Sequence, residues 1–118
     1  MREPPAIDGF RGGGFRVAGV WRPGSLLIVS DEPHEWPVTT IAQLTPGDLQ
    51  AAIDAPPGTV EFVLLGTGPA QALPPREVRE AVRRAGLGLE FMATDAAARL
   101  HNVLASEGRL FATALIAI

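Results

Sequence analysis

Changes in the spacing of apolar residues mark the elements of the chain. Residues 15–20 (FRVAGV) and 25–30 (SLLIVS) have the short apolar character of strands, and residues 21–24 (WRPG) between them suit a type II turn. This pattern predicts a β-hairpin near the N-terminus. The polar residues 31–35 predict a loop, and residues 36–40 (WPVTT) predict a short strand.

A short helix and a buried strand are predicted next. Thr45 followed by Pro46 is typical of a helix start, since Thr suits the capping position and Pro the first helical position. Residues 55–58 (APPG) end this helix. Residues 59–65 (TVEFVLL) are almost entirely apolar, which predicts a central strand covered on both faces.

An amphipathic helix follows and has clear end signals. Two prolines at 74–75 open it and Gly86 closes it, with one apolar stripe between them. Arg76, Glu80 and Arg84 are spaced four residues apart, so they are predicted to form surface ion pairs along the helix.

Three more elements complete the predicted fold. Residues 87–93 form a strand, Thr94 caps a helix over residues 95–106, and residues 110–116 form the last strand. Strands that alternate with helices predict a single three-layer α/β domain over residues 1–118, with a central mixed β-sheet and helices on both sides. The N-terminal β-hairpin prevents the sheet from being entirely parallel.

Composition narrows the functional classes. The 118 residues are 47% hydrophobic and 19% charged, which is enough apolar material for one core and is not typical of a disordered chain. Residues 1–6 are predicted to be a flexible N-terminal tail without the apolar region of a secretory signal. The longest apolar run, residues 110–118, is far shorter than the ~20 residues of a membrane-spanning helix. We therefore predict a cytoplasmic protein without a transmembrane segment.

Missing residue types exclude several kinds of chemistry. The chain has no Cys, no Tyr and no Lys, so thiolate catalysis, zinc–thiolate sites, Schiff bases and Walker-type P-loops are excluded. His34 and His101 do not belong to a spaced set of metal ligands, although His101 could serve as a base. No serine lies in a Gly-x-Ser-x-Gly elbow. We assign no catalytic residue, no metal and no cofactor.

Charge disfavours a nucleic-acid partner. The formal net charge is -3, whereas nucleic-acid binders usually present a basic face. The arginines of the helix that begins near residue 76 are interleaved with Glu77 and Glu80 and lack aromatic neighbours. This helix face is therefore predicted to be solvated.

The sequence Gly66-Thr67-Gly68 directly follows the central strand and is the most site-like feature of the chain. Ligands of open α/β sheets bind beyond the carboxyl ends of strands, and glycines let backbone amides approach an anion. Pro69 follows, however, and the next helix begins only near Arg76, so a dinucleotide fingerprint is not met. A tightly packed connection is the alternative, and we favour it.

Polar residues around the last predicted helix could join this turn. Thr94 stands at a helix start, where anions are attracted, although Asp95 already supplies negative charge there. Arg99 and Asn102 are three residues apart and could meet an anion together, but Asn102 is predicted to bond to the backbone of a neighbouring loop. The candidate crevice for a ligand or partner comprises Gly66, Thr67, Gly68, Thr94, Arg99, Asn102, Glu107 and Arg109.

Three segments together resemble one family: residues 24–29 (GSLLIV), 64–68 (LLGTG) and 91–109 (FMATDAAARLHNVLASEGR). That family contains mitochondrial complex I assembly factor 3, the human adipogenesis-associated protein and many uncharacterised bacterial and archaeal proteins. The resemblance runs from residue 7 to the C-terminus and implies a three-layer domain with a mixed sheet. His101 departs from the pattern, because relatives usually carry an aromatic residue there.

The resemblance implies no established reaction. It implies a non-catalytic factor in the assembly of a respiratory complex, acting through protein partners near a membrane. We therefore expect a protein-interaction or assembly-factor module rather than an enzyme, with an exposed apolar patch. The alternative is a small-anion or metabolite-binding protein, or an unrecognised enzyme, that uses the crevice at Gly66, Thr67 and Gly68.

Overall fold

Two β-sheets form the framework of the computed structural model, which describes residues 3–118. The strands are β1 (Ile7–Gly9), β2 (Gly14–Val17), β3 (Val20–Pro23), β4 (Ser25–Val29), β5 (Glu32–Trp36), β6 (Phe62–Gly66), β7 (Gly88–Met92) and β8 (Phe111–Leu115). The small sheet is antiparallel, in the order β1-β2-β3, and the large sheet has the order β5-β4-β8-β6-β7. In the large sheet β4 runs antiparallel to β5 and β8, whereas β6 is parallel to β7 and β8. The predicted mixed sheet is confirmed.

Helices cover one face of the large sheet, and a helix together with the small sheet covers the other. The helices are α1 (Gln50–Ile53), α2 (Arg76–Arg84) and α3 (Thr94–Ser106), with 3-10 turns at Ile41–Gln43 and Pro46–Leu49. On one face Val63 and Leu65 of β6 belong to the same core cluster as Val78 and Val82 of α2. The residue between them, Leu64, belongs to the opposite cluster. β6 is therefore buried on both faces, as its apolar run predicts.

The second core cluster joins α3 and the small sheet to the large sheet. Phe15 and Val17 of β2 pack there with Ala97 of α3 and with Leu64. Helices thus lie on both sides of the central sheet, and the small sheet adds to the layer on one of them. The predicted three-layer α/β fold with an N-terminal hairpin is confirmed.

The predicted hairpin has a different turn and a different second strand. The chain turns at Ala18 and Gly19, whose φ angles of 49° and 80° match the twist that a two-residue hairpin requires. The predicted turn at residues 21–24 is wrong, because most of it forms β3. Gly24, with a φ of 82°, then bends the chain so that Ser25–Val29 enters the large sheet.

The strand predicted at residues 36–40 lies earlier in the chain. β5 occupies residues 32–36, most of which were predicted to be a loop. Because β5 is an edge strand bonded only to β4, Pro33 is tolerated in it, and its polar side chains remain exposed. Trp36 ends the strand and is buried, with its indole N–H donating to the Asp48 carbonyl at 2.8 Å.

The helix start at Thr45 and the ion pairs of α2 are confirmed. The Asp48 carboxylate accepts a hydrogen bond from the Thr45 amide at 2.9 Å, which stabilises the predicted helix start. In α2, Glu80 meets Arg76 at 2.9 Å and Arg84 at 3.6 Å. These exposed pairs contribute only a few tenths of a kcal/mol each, about 0.3–0.5 by measurement on helices.

Two predictions concern the N-terminal residues and membrane insertion. Residues 1–2 of the predicted tail lie outside the described residues, and within the remainder the Pro5 carbonyl accepts a hydrogen bond from a side chain of α3. Across residues 3–118, each helix is either too short or too polar to cross a bilayer.

Candidate functional site

Gly66 ends β6 at a point where three segments meet. A Cβ atom on this residue would lie 2.8 Å from Leu115 Cδ2 and 2.9 Å from Thr94 Oγ1. It would also lie 3.0 Å from Thr94 Cα. Only glycine therefore allows β6 to come this close to β8 and to the start of α3.

The backbone of the turn after β6 is bonded within the protein. The Thr67 amide donates to the Met92 carbonyl at 2.8 Å, and the Gly68 amide donates to Thr94 Oγ1 at 2.9 Å. The Gly66 carbonyl accepts from the Ile116 amide at 3.0 Å. Because the amides of Thr67 and Gly68 already have acceptors, they do not point at a site where an anion would bind.

Thr94 connects this turn to the C-terminal strand. It is fully buried, and its hydroxyl accepts the Gly68 amide while donating to the Ile116 carbonyl at 2.7 Å. The prediction that Thr94 caps α3 is wrong, since Ala93 occupies the capping position and Thr94 is the first helical residue. The Thr94 hydroxyl therefore links neighbouring segments instead of satisfying its own helix.

Thr67 anchors the loop that leads to α2. Its hydroxyl donates to the Ala70 carbonyl at 2.7 Å and accepts from the Ala72 amide at 3.1 Å. It also lies 3.1 Å from the Met92 carbonyl. A side chain that was considered for ligand binding thus stabilises the course of the loop.

The other four residues of the candidate crevice lie progressively further along α3. This helix has 13 residues, so its two ends are ~20 Å apart. Arg99 is one to two turns from Thr94, whereas Glu107 and Arg109 lie beyond the far end of the helix. The structure brings together Gly66, Thr67, Gly68 and Thr94, and it separates Glu107 and Arg109 from them.

Each of the two arginines contacts an aromatic ring. Arg99 lies with its guanidinium 5.0 Å from the centre of the Phe10 ring, and one of its nitrogens is 3.8 Å from Asp95 Oδ2. Arg109 lies 5.2 Å from the centre of the Phe62 ring. Both guanidinium groups are therefore held by local contacts with Phe10, Asp95 and Phe62, and none of these residues belongs to the turn after β6.

Asn102 bonds to backbone groups as predicted, but its partner lies in strand β1 and not in a loop. Its Oδ1 accepts from the Ile7 amide at 2.8 Å, and its Nδ2 donates to the Ile7 carbonyl at 2.8 Å. Both polar groups of Ile7 are thereby satisfied by one side chain. Asn102 holds β1 against α3, and at Ile7 it provides the backbone hydrogen bonds that a second neighbouring strand would otherwise provide.

His101 makes a second connection to the N-terminal segment. It is 2% exposed, with Nε2 2.8 Å from the Pro5 carbonyl and Nδ1 2.8 Å from Thr113 Oγ1. Since a carbonyl can only accept, Nε2 carries the proton and Nδ1 accepts from the Thr113 hydroxyl. Burial lowers the pKa of His101, and the smaller effects of the Pro5 hydrogen bond and the Asp31 charge oppose that shift. Both nitrogens are occupied, and the ring packs edge-on against Phe111.

Sequence reasoning missed an exposed surface on the small sheet. Val20 and Trp21 of β3 are 58% and 47% exposed. Their backbone was assigned to a strand end and a turn, so neither side chain was considered as a contact surface. The signal was a bulky Val-Trp pair following Ala18-Gly19, which is a suitable turn sequence for a short hairpin.

Comparison with known proteins places the chain in a family. The model of the family described as "protein of unknown function (DUF498/DUF598)" matches residues 7–116. The chain belongs to this family. An uncharacterised protein of Rhodobacter capsulatus in curated collections is 37% identical over 110 residues, covering 93% of this chain and 82% of that protein.

Solved structures of similar proteins have the same fold. A crystal structure described as an outer membrane protein from Bartonella henselae has a TM-score of 0.86 and 30% identity, with 98% of each chain covered. A solution structure from Bordetella pertussis, described as an Mth938-like domain, has a TM-score of 0.78 and 26% identity, covering 99% of this chain and 90% of that one. The predicted membership of a small domain family of unknown function is confirmed.

Proposed function

We propose that this chain is a non-catalytic protein-interaction module of the assembly-factor type. The observation that carries the proposal is the exposure of two consecutive large apolar residues, Val20 and Trp21, whose side chains lie on the two faces of β3. β3 is an edge strand of the small sheet, and large apolar side chains on such an edge favour association. Tryptophan is enriched among the residues that dominate binding energy at protein interfaces.

The backbone of β3 also favours an interaction. Val17 and Val20 flank the two-residue turn, so they form a hydrogen-bonded pair, and the pairing alternates along the strands. Trp21, opposite Arg16, is therefore in a non-hydrogen-bonded pair. Its N–H and C=O groups point away from β2, toward the open edge of the sheet, where a partner backbone can bond to them.

Two further observations support a non-catalytic role. The Thr94 hydroxyl and both nitrogens of His101 are committed to internal hydrogen bonds, as are the amides of Thr67 and Gly68. The family resemblance also favours a partner that belongs to a membrane-associated complex, with this module on the cytoplasmic side.

Affinity capture of the tagged full chain from its own organism tests this role. We expect at least one protein to be recovered in near-stoichiometric amount by the wild type, and its recovery to fall roughly tenfold for the Val20→Thr, Trp21→Ser double variant. Arg83→Glu is the matched control, because Arg83 is exposed on α2, which covers the other face of the large sheet. Thermal unfolding of each variant checks that the fold is retained.

Two results would contradict the proposal. Recovery of no protein above the level of an untagged strain would argue against an interaction module. Equal recovery by the wild type, the double variant and Arg83→Glu would show that the exposed residues of β3 do not carry the interaction.

A further inference from the structure

The arginines of the small sheet and of the helices differ in their partners. In the helices Arg76, Arg84 and Arg99 each lie within 4 Å of a carboxylate oxygen. In the small sheet, Arg16 and Arg22 have no carboxylate within that distance among residues 3–118, and the Arg22 Nε atom is buried without an acceptor. Since no carboxylate within residues 3–118 neutralises Arg16 or Arg22, their guanidinium groups favour pairing with carboxylates of a partner.

Positive charge collects around Trp21 although the whole chain carries a formal charge of -3. Arg16 is directly opposite Trp21 across β2 and β3, and Arg11 lies in the preceding loop with its guanidinium 5.3 Å from the centre of the Phe10 ring. Asp8 is the acidic residue that lines the same hollow. We call the exposed edge of β3, with the side chains on both of its faces, the β3 surface. Arg11, Arg16 and Trp21 lie on one face, and Val20 and Arg22 lie on the other, because side chains alternate along a strand. This edge is therefore both basic and apolar.

The Trp21 indole packs closely against the backbone at Gly14. A Cβ on Gly14 would lie 2.8 Å from Trp21 Cζ2 and 2.5 Å from the Arg22 carbonyl oxygen, and one on Gly12 would lie 3.9 Å from Trp21 Cη2. Gly14 thus makes room for the indole against the backbone of the sheet, whereas a Cβ on Gly12 would be in ordinary contact with it. The ring therefore lies against the sheet at its edge and does not project from the tip of a loop.

We propose that the β3 surface binds an extended acidic segment of a partner protein, which adds to β3 as a fourth strand of the small sheet. This inference rests on the interaction role proposed above and specifies the chemistry of the partner. The Trp21 backbone bonds to the added strand, and an apolar side chain of that strand packs on the indole. Carboxylates on the two faces of the strand pair with Arg16 on one side and Arg22 on the other.

An acidic protein segment fits this surface better than a second copy or a lipid bilayer. In a symmetric pairing of two β3 edges, a second copy presents the same arginines, so it does not supply the carboxylates that Arg16 and Arg22 lack. Lipid tails would leave the open N–H and C=O of Trp21 without partners, which is costly in hydrocarbon. A peptide strand satisfies the backbone groups and the charges together.

An NMR titration of the full-length ¹⁵N-labelled chain tests the proposal. The probe is a capped heptapeptide with a central Val flanked by three Glu on each side, which places carboxylates on both faces of the strand and the apolar side chain on one. The matched peptide has Gln in place of every Glu. We expect saturable shifts at the Trp21 indole and at the amides of Val20 and Arg22, with binding of the Gln peptide weaker by roughly tenfold or more. Added salt is expected to weaken binding of the Glu peptide, because exposed charge pairs are screened.

Charge variants locate the contact. Arg16→Glu and Arg22→Glu are each expected to weaken binding of the Glu peptide by roughly tenfold, since repulsion replaces attraction. Arg83→Glu makes the same charge change on α2 and is expected to bind as the wild type does. The spectrum of each free variant shows whether its fold is intact.

Four outcomes would overturn the proposal. They are no shift on the β3 surface at millimolar peptide, equal affinity for the Glu and Gln peptides, a dimer in sedimentation that Trp21→Ser abolishes, and binding to phosphatidylglycerol vesicles without binding to the Glu peptide. If the peptide fails while Val20 and Trp21 remain necessary for protein capture, the interaction role stands and the acidic-strand chemistry is wrong.

Discussion

Thr94 and Gly68 are joined by two reciprocal hydrogen bonds. The Gly68 amide donates to Thr94 Oγ1 at 2.9 Å, and the Thr94 amide donates to the Gly68 carbonyl at 2.8 Å. This pair fixes the turn after β6 to the first residue of α3, within a buried region. The glycine-rich turn is thus held by the protein itself, which explains its sequence without a bound ligand.

Thr94→Val is expected to destabilise the protein by about 2–5 kcal/mol. The substitution keeps the side-chain shape but leaves the Gly68 amide and the Ile116 carbonyl without their partner, and each such buried group costs about 1–3 kcal/mol. Urea unfolding measures the change. Thr94→Ser keeps the hydroxyl and should lose much less stability, so equal stability of the two variants would show that the hydroxyl does not hold the turn.

Gly66→Ala is expected to cost about 1–3 kcal/mol, because the new methyl group overpacks the corner between Leu115 and Thr94. Gly47→Ala is the matched control, since its Cβ would meet Thr45 Oγ1 at an ordinary 3.7 Å. We expect the control to be close to neutral in thermal unfolding. A Gly66→Ala protein that melts with the control would contradict the close approach of β6, β8 and α3.

The stability of the protein is expected to fall as the pH drops below about 6.5. Burial lowers the pKa of His101 from its ordinary value of 6.5, so in this range the unfolded chain takes up a proton that the folded protein excludes. His101 therefore adds no pH dependence above the unfolded pKa, and stability is lost as the pH falls from that value toward the folded pKa. Urea unfolding between pH 5 and 8 measures the slope.

Two variants isolate the contribution of His101. His101→Phe keeps a ring against Phe111 but cannot be protonated, so the component of the pH slope due to this residue should disappear. It should also lower stability at pH 8, because Thr113 and the Pro5 carbonyl lose their partner. His34→Gln retains His101 and should keep that component of the slope. Loss of the slope in this control would show that His34, and not His101, is responsible for it.

Asn102→Ala is expected to loosen β1 without unfolding the domain. It removes the two hydrogen bonds to the Ile7 backbone, at a cost of about 1–3 kcal/mol. Hydrogen exchange at the Ile7 amide should accelerate more than exchange at Val63 in the central strand. Ser106→Ala, also on α3, removes only an exposed bond to the Val103 carbonyl, and an equal acceleration in that variant would contradict the role of Asn102.

Strong local signals predicted much of the fold. The apolar run around Leu64 gave a central strand, and the prolines before Arg76 and the glycine at 86 bounded α2 to within one or two residues. The same kind of reasoning failed at residues 21–24, where the Pro-Gly signal suggested a turn. Ala18 and Gly19 turn the chain instead, because two successive left-handed residues match the twist of paired strands and a type II turn does not.

The candidate site was less predictable than the fold. The glycines at 66 and 68 were correctly read as requiring special backbone geometry, and the bonding of Asn102 was anticipated from its position beside apolar residues. The roles of Thr94 and His101 could not be derived, because their partners Ile116 and Pro5 are distant in sequence. Proximity of that kind depends on how the layers pack and leaves no local pattern.

By itself the sequence determined the order of the elements from residue 45 onward, the mixed sheet and the absence of lysine and cysteine chemistry, because periodicity, end signals and composition act locally. Tertiary structure alone decided which polar side chains are buried and form hydrogen bonds between distant segments, and which residues are exposed at the surface. The reason is that the residue type fixes the chemistry of a hydroxyl, an imidazole or an indole, whereas its role depends on its neighbours. Those neighbours are acceptors and apolar surfaces that belong to distant segments of the chain. That selection buried Thr94 and His101 and left Trp21 at an open strand edge.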